Sequence, residues 1–284
     1  MTRLLPICFA LLALGCNKDV DSGDPIVDDG PIVCEGDYAL YNSEDLQELS
    51  QCKEVTGTLL VPGSNVVDLQ GLSNLTTVNN LTIRDNLDLL TLDGLENLTT
   101  VTGAIEVTNN RNLVNIDGLS GITEVGLNTR VSDNPALETI DGLSNLAIVG
   151  GSLFIERNTA LQNLDGLQSI TTVTGTLYLE LLPEVTQLDT LQNLSSVNEL
   201  FIFNLAGLQS ITGPTNLTAV PGALQLRSNP TLGDISGLYN IESAGIVTAK
   251  GNTALCQTIV EAWVADMTLG DEKGSDITGN RQGC

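Results

Sequence analysis

Val149-Gly150-Gly151-Ser152-Leu153-Phe154-Ile155-Glu156-Arg157-Asn158, followed by Leu161, Leu164, Asp165, Gly166, Leu167, Ile170 and then Val173, is one period of a pattern that fills most of the chain. Its marker valine recurs as Val55, Val78, Val101, Val125, Val149, Val173, Val197 and Val220, with Ala244 in the next slot, always 23 or 24 residues on. Two spacings coexist within a period. After the valine, apolar residues alternate, as in Leu81/Ile83, Ile105/Val107, Leu153/Ile155, Leu177/Leu179, Leu200/Ile202 and Leu224/Leu226, the signature of a strand with one buried face. The remainder steps by three, as in Leu137, Ile140, Leu143, Leu146 and Val149. On an α-helix five such residues would sweep through about 240° and leave no single buried stripe. A chain that bends around a central core at glycine-containing corners can instead point every third side chain inward.

One period cannot bury its apolar residues alone, so periods must stack into a continuous core. The expectation is a mainly β, right-handed solenoid of about nine coils over residues 55–254. Its ends need caps, because an open coil exposes apolar side chains and unpaired backbone. Leu46, Leu49 and Cys52 continue the rhythm before Val55 and mark residues 34–54 as an N-terminal lid. Leu255, Ile259, Trp263 and Met267 fall four apart, with Val260 and Val264 alongside, which predicts a short amphipathic helix in a C-terminal cap over residues 255–284. Trp263, the sole tryptophan, is expected to pack there.

Ahead of this, Met1, Thr2 and Arg3 precede an apolar stretch ending in Gly15-Cys16, the layout of a secretory signal too short to span a bilayer. Leu12-Ala13-Leu14-Gly15-Cys16 resembles the lipobox of bacterial lipoproteins, although alanine replaces the usual leucine at Ala13. The resemblance implies a signal peptide over residues 1–15 and a lipid on Cys16 that ties the protein to a membrane. Residues 16–33, with Asp19, Asp21, Asp24, Asp28 and Asp29 among glycines and prolines, read as an extended acidic tether; the spacing of an EF-hand calcium loop is missing. With Cys8 removed and Cys16 lipidated, Cys34, Cys52, Cys256 and Cys284 remain as two terminal pairs, predicting Cys34–Cys52 and Cys256–Cys284 in an oxidising compartment. Asn17 is not the aspartate associated with inner-membrane retention in some bacteria, which favours the outer membrane or cell surface.

Cys34-Glu35-Gly36-Asp37-Tyr38, then Asp45-Leu46 and Leu49 to Cys52, then Val55-Thr56-Gly57-Thr58-Leu59, together with the recurring V-x-G-x-L-x-I and L-x-x-L-x-G-L-x-x-L, resemble the receptor L-domain family. The resemblance covers roughly residues 34–284 and implies a leucine-rich-repeat-like β-helix; combined with the lipobox, the chain resembles bacterial lipoproteins of this type. These motifs encode the coil, so no binding residue transfers. Fungal glycosylphosphatidylinositol-anchored wall proteins share the repeat, and Asn74, Asn80, Asn97, Asn193 and Asn216 form N-x-S/T sequons. All but Asn80 occupy one slot of the coil, which reads as a by-product of repetition.

A net charge of −24 with no histidine excludes a nucleic-acid partner, because nothing could neutralise phosphates. The absence of histidine, and of any spare mature thiol or cluster of basic residues beside paired carboxylates, argues against a β-helix polysaccharide lyase or hydrolase. Asp93, Asp117, Asp141 and Asp165 each precede glycine in successive coils; they read as turn residues whose carboxylates accept from nearby backbone N–H groups, with a calcium ladder as the sharper alternative. Asn86, Asn110, Asn134, Asn158 and Asn229 end their strands and predict a stack of side-chain amides. No catalytic residue, metal site or cofactor is expected. Between the inward pairs, outward positions in neighbouring coils are Arg130, Phe154, Tyr178, Phe201 and Gln225, with Ser132, Glu156, Glu180, Phe203 and Arg227 beside them. Four of the chain's few aromatic residues thus share one exposed face. Phe154, Glu156, Tyr178, Glu180, Phe201 and Phe203 are the candidate ligand-binding residues, suited to a sugar face or a protein's apolar anchor; cross-strand stacking that merely stabilises the sheet is the alternative. The functional expectation is a lipid-anchored, non-catalytic binding or adhesion module for a protein or glycan, against a structural envelope scaffold without soluble ligand.

Overall fold

The computed structural model describes residues 32–271 and 274–284, which belong to one unit, Pro31–Cys284. The expected signal peptide, Cys16 and nearly all of the expected tether lie outside the described residues.

The protein is mainly β, with fifteen strands in one parallel sheet and two α-helices, α1 (Ser43–Leu49) and α2 (Gln257–Ala265). Each strand pairs with the strand one period away, so residues in the same slot lie side by side: Leu153 with Thr129 and Leu177, Leu177 with Leu200, Leu200 with Leu224. The alternating stretch therefore forms the ladder that period-two patterning predicts, and the marker valines are buried throughout. Residues stepping by three are buried as well, in turns that include 3-10 segments such as Asp141–Leu143 and Asp165–Leu167. Together they form one apolar core running from Leu40 to Trp263.

Slot by slot, the repeat has physical reasons. The glycine after each aspartate sits against the neighbouring period's backbone: a Cβ on Gly142 would run into the carbonyl oxygen of Ile116, and one on Gly166 into that of Ile140. The Asp-Gly pair sits in a turn as expected, and the close approach of the neighbouring backbone is a second reason for its glycine. The aspartate does not behave as expected. Its carboxylate is not the acceptor; its own N–H donates to a side chain two residues back, from Asp117 to Asn115 Oδ1 at 3.1 Å and from Asp165 to Asn163 Oδ1 at 2.9 Å.

At the end of each strand one residue takes a positive φ, from Asp85 (62°) through Asn109, Asp133, Arg157, Leu181 and Asn204 to Ser228 (56°). This left-handed turn drops the next residue into the core, where the expected asparagine stack is found. Asn134 accepts from Asn110 N at 2.9 Å and donates Nδ2 to Val107 O at 2.9 Å. The stack extends beyond the expected members to Asn252 and Asn280 and is interrupted only where Leu182 and Leu205 replace asparagine. A second set of amides, on the outside, includes four of the five sequon asparagines: Asn74, Asn97, Asn193 and Asn216 each donate Nδ2 to a carbonyl one period back, at 2.7–2.8 Å. Their recurrence has a hydrogen-bonding cause.

Both predicted disulfides are present, Cys34–Cys52 and Cys256–Cys284, each with Cα atoms 5.8 Å apart. Such bonds persist in oxidising compartments and point to an exported or extracellular protein. No helix among the described residues is long and apolar enough to cross a membrane. Within residues 34–54 the lid contains a helix that the L-x-x-L rhythm does not announce. Asn42 caps α1 by accepting from Glu44 N and Asp45 N, and Asp45 accepts in return from Asn42 N, a reciprocal box that satisfies donors at the helix start. Leu46 and Leu49 face the core. At the other end α2 is shorter and rotated relative to expectation. Its buried residues are Gln257, Val260 and Trp263, while Ile259 is exposed and Leu255 and Met267 lie outside the helix. A strict step of four drifts around a helix of 3.6 residues per turn, so the stripe follows 260 and 263 instead.

Candidate functional site

The parallel register brings the candidate residues together. Phe154 lies beside Tyr178 and Tyr178 beside Phe201, while Glu156 lies beside Glu180 and Glu180 beside Phe203. Phe201 and Phe203, two residues apart on one strand, project to the same side. The four rings form a continuous cluster: centroids are 5.9 Å apart for Phe154–Tyr178, 6.0 Å for Tyr178–Phe201, and 5.5 Å for both Tyr178–Phe203 and Phe201–Phe203. The Phe201–Phe203 pair is stacked at 12°, and Tyr178 meets both edge-on, arrangements that the ring quadrupole favours. Arginines close the two ends, Arg130 over the Phe154 ring at 4.0 Å and Arg227 near Phe203 at 5.6 Å.

The face departs from expectation in its exposure. Phe154, Tyr178, Phe201 and Phe203 are half-buried, Glu180 likewise, and Ser132 and Glu156 are buried. Outward-facing side chains this large cover one another and the smaller residues between them. Glu156, only 4% exposed, is stabilised by Arg130 and by Arg157 Nη2 at 3.3 Å. Arg157 also pairs with Asp133 at 2.8 Å and Glu180 at 3.5 Å. Its hydrogen bond to Asp133 is the main reason its guanidinium is held above its ordinary value. Tyr178 Oη donates to Glu180 Oε2 at 3.0 Å; burial first, and then this hydrogen bond, push its phenol above the usual range. The result is a ring platform with a fixed polar margin along one edge, able to make apolar, stacking and charge contacts.

The aspartate column sits elsewhere on the repeat and is longer than the Asp-Gly pairs suggest. Asp189, followed by Thr190 rather than glycine, belongs to it, since its charge acts on Asp165. Burial and then the charges of Asp141 and Asp93 push Asp117 above the ordinary carboxylate range, and burial followed by Asp141 and Asp189 does the same for Asp165. Among the described residues, no group of three or more His, Cys, Asp or Glu side chains is arranged to hold a metal ion.

Arg130, Arg157 and Arg227, which frame the rings, were not among the candidates. The sequence pattern already places Arg130 and Arg227 on this face, in the aromatic slots one period to either side, whereas Arg157 reaches it from the left-handed turn position. No protein-family model matches this chain, and no curated protein matches it either.

Proposed function

We propose that the protein is a non-catalytic binding or adhesion module of the cell envelope that recognises a protein or glycan through the ring cluster of Phe154, Tyr178, Phe201 and Phe203, with Glu156 and Glu180 at its polar edge. The observation behind this reading is the continuity of four half-buried rings on one sheet face, bounded by Arg130 and Arg227. In a chain that is 3% aromatic, three neighbouring periods hold all four phenylalanine and tyrosine rings of the cluster, whereas the repeat itself folds with threonine, glutamate or arginine in the same slots, at Thr82, Glu106 and Arg130. The fold does not require rings there, and rings are the side chains that most often anchor interfaces.

The scaffold in this reading is a right-handed, leucine-rich-repeat-like β-helix of the receptor L-domain kind. In-register parallel pairing at every period supports it. Cys16 bears the lipid, residues 16–33 are the tether, and the protein sits at a bacterial outer membrane or cell surface; the lipobox-like Leu12-Ala13-Leu14-Gly15-Cys16 and the two disulfides favour this placement.

The test is a binding screen against glycans and envelope extracts, with wild type beside Phe154→Ala/Tyr178→Ala/Phe201→Ala. Binding by wild type and loss in a variant that still melts cooperatively is the expected result. Equal binding by both would move the site elsewhere, and inertness of both would favour an envelope scaffold.

A further inference from the structure

Where α2 lies against the last period, the structure has a cavity of about 520 Å³, within the range of small-molecule sites. It is remote in sequence from the ring cluster and independent of it. One wall is the edge of α2 formed by Ile259, Ala262 and Asp266, three and then four residues apart; the other is the turn from Tyr239 to Glu242, with Trp263 and Ile241 at the floor. Trp263 Nε1 donates to Leu238 O at 3.1 Å, so its polar atom is satisfied and the ring presents an apolar surface.

Three features at this place are not explained by the fold. The slot of Tyr239 holds Ser73, Ser120, Ser144 and Gln168 in other periods, yet the tyrosine is 52% exposed and adds nothing to the core. The slot of Glu242 holds Thr76, Thr99, Thr123, Ala147, Thr171, Ser195 and Thr218 elsewhere, and Glu242 is exposed. Asp266 is the C-terminal cap residue of α2, where the helix dipole is already negative and a carboxylate is unfavourable for folding. Two carboxylates and a helix C-terminus thus add negative charge around an apolar floor, in the one period whose sequence departs from the repeat at both turn positions.

We propose that this cavity binds a small organic cation, an amine with an aryl or alkyl body. The body lies on Ile241, Ile259 and Trp263 beside the Tyr239 ring, and the ammonium sits between Glu242 and Asp266. The exposed Tyr239 side chain adds an aromatic ring, a group to which cations are attracted.

Trp263 is the only tryptophan, so its emission reports on the site directly. The full-length protein is titrated with 2-phenylethylamine, with 3-phenylpropanoate as the probe of opposite charge, by fluorescence and by calorimetry. Saturable binding of the amine is expected, weakening with added salt, with little response to the carboxylate. Glu242→Gln/Asp266→Asn should weaken the amine by about tenfold, as loss of two partly exposed ion pairs implies, while melting no lower than wild type, because neither carboxylate is buried and Asp266 opposes the helix dipole. The Phe154→Ala/Tyr178→Ala/Phe201→Ala variant should bind the amine unchanged. Absence of saturable binding by both methods, equal affinity for the carboxylate, or undiminished affinity in the folded double variant would overturn the proposal.

Discussion

Two residues break the repeat's own rules, and both do so at a cost. Thr129 stands in the inward slot held by Ile105 and Leu153 on either side. It is fully buried, and its hydroxyl has no hydrogen-bond partner. An unsatisfied buried hydroxyl costs about 1–3 kcal/mol, and valine fills nearly the same volume. Thr129→Val should therefore stabilise the fold by about 1 kcal/mol or more, read from urea denaturation midpoints at unchanged slope. Leu181 takes φ of 53°, where its counterparts are mostly Asp and Asn, and its side chain is 41% exposed. Bulky residues are disfavoured in the left-handed region by about 1–2 kcal/mol, and asparagine tolerates it. Leu181→Asn should raise stability by about 1 kcal/mol on the same assay. The αL position was not read from the sequence, because Arg157, Leu181 and Ser228 break the run of Gly, Asp and Asn that would otherwise announce it. The asparagine that follows was legible, because its burial and its two hydrogen bonds admit few substitutes.

Among the elements, the 3-10 turns stack like charges. Asp117 and Asp165 have carboxyls raised above their ordinary value by burial and by neighbouring aspartates, so the folded state binds their protons more tightly than the unfolded chain does. Their contribution to stability is complete below the unfolded value and declines as pH rises through the folded one. Asp276 acts in the opposite sense: its ion pair with Lys250 and its hydrogen bonds from Thr278 hold it at about 2, so its contribution is present above the unfolded value and is lost as pH falls toward about 2. Asp117→Asn/Asp165→Asn should accordingly melt higher than wild type at pH 7, with the gain vanishing near pH 3; an equal gain at both would locate the effect outside the titration. The C-terminal cap makes a second prediction. Cys256–Cys284 closes a 28-residue separation across α2, and a link of that length is worth about 3 kcal/mol. Cys256→Ser/Cys284→Ser should lower stability by about that amount and shift Trp263 emission to the red as α2 loosens. The cap was half legible: the four-residue apolar spacing announced a helix but misplaced its face, and the N-terminal helix went unread because its signal is the Asn42/Asp45 box rather than a periodicity.

At the scale of the molecule, each period hydrogen-bonds to the next through backbone, and most do so through buried or outer asparagines as well. Interactions are thus mostly between neighbours, and a whole period should be removable where its slots join cleanly. This also explains why the strand ladder was legible in the sequence while the site was read only in part. Slot assignments gave the four rings, their order and the flanking Arg130 and Arg227, but not that the rings would cover one another, nor that Arg157 would reach Glu156 and Glu180. Those are properties of side-chain volume and reach across strands, which a spacing does not encode. The cavity beside Trp263 was not legible at all, since it arises from how a helix of one pattern lies on a sheet of another.

Two excisions test the central claim most directly, that a stack of interchangeable periods displays a ring cluster as its binding face. Removing residues 86–109 joins Asp85 to Asn110, and removing residues 182–204, which takes out Phe201 and Phe203, joins Leu181 to Leu205. The measurement is binding of each shortened protein to the envelope fraction or glycan that retains the intact one, alongside its melting curve. Both should melt cooperatively, with binding kept when residues 86–109 are gone and lost when residues 182–204 are gone. Undiminished binding without residues 182–204, or failure of both to fold, would contradict the account.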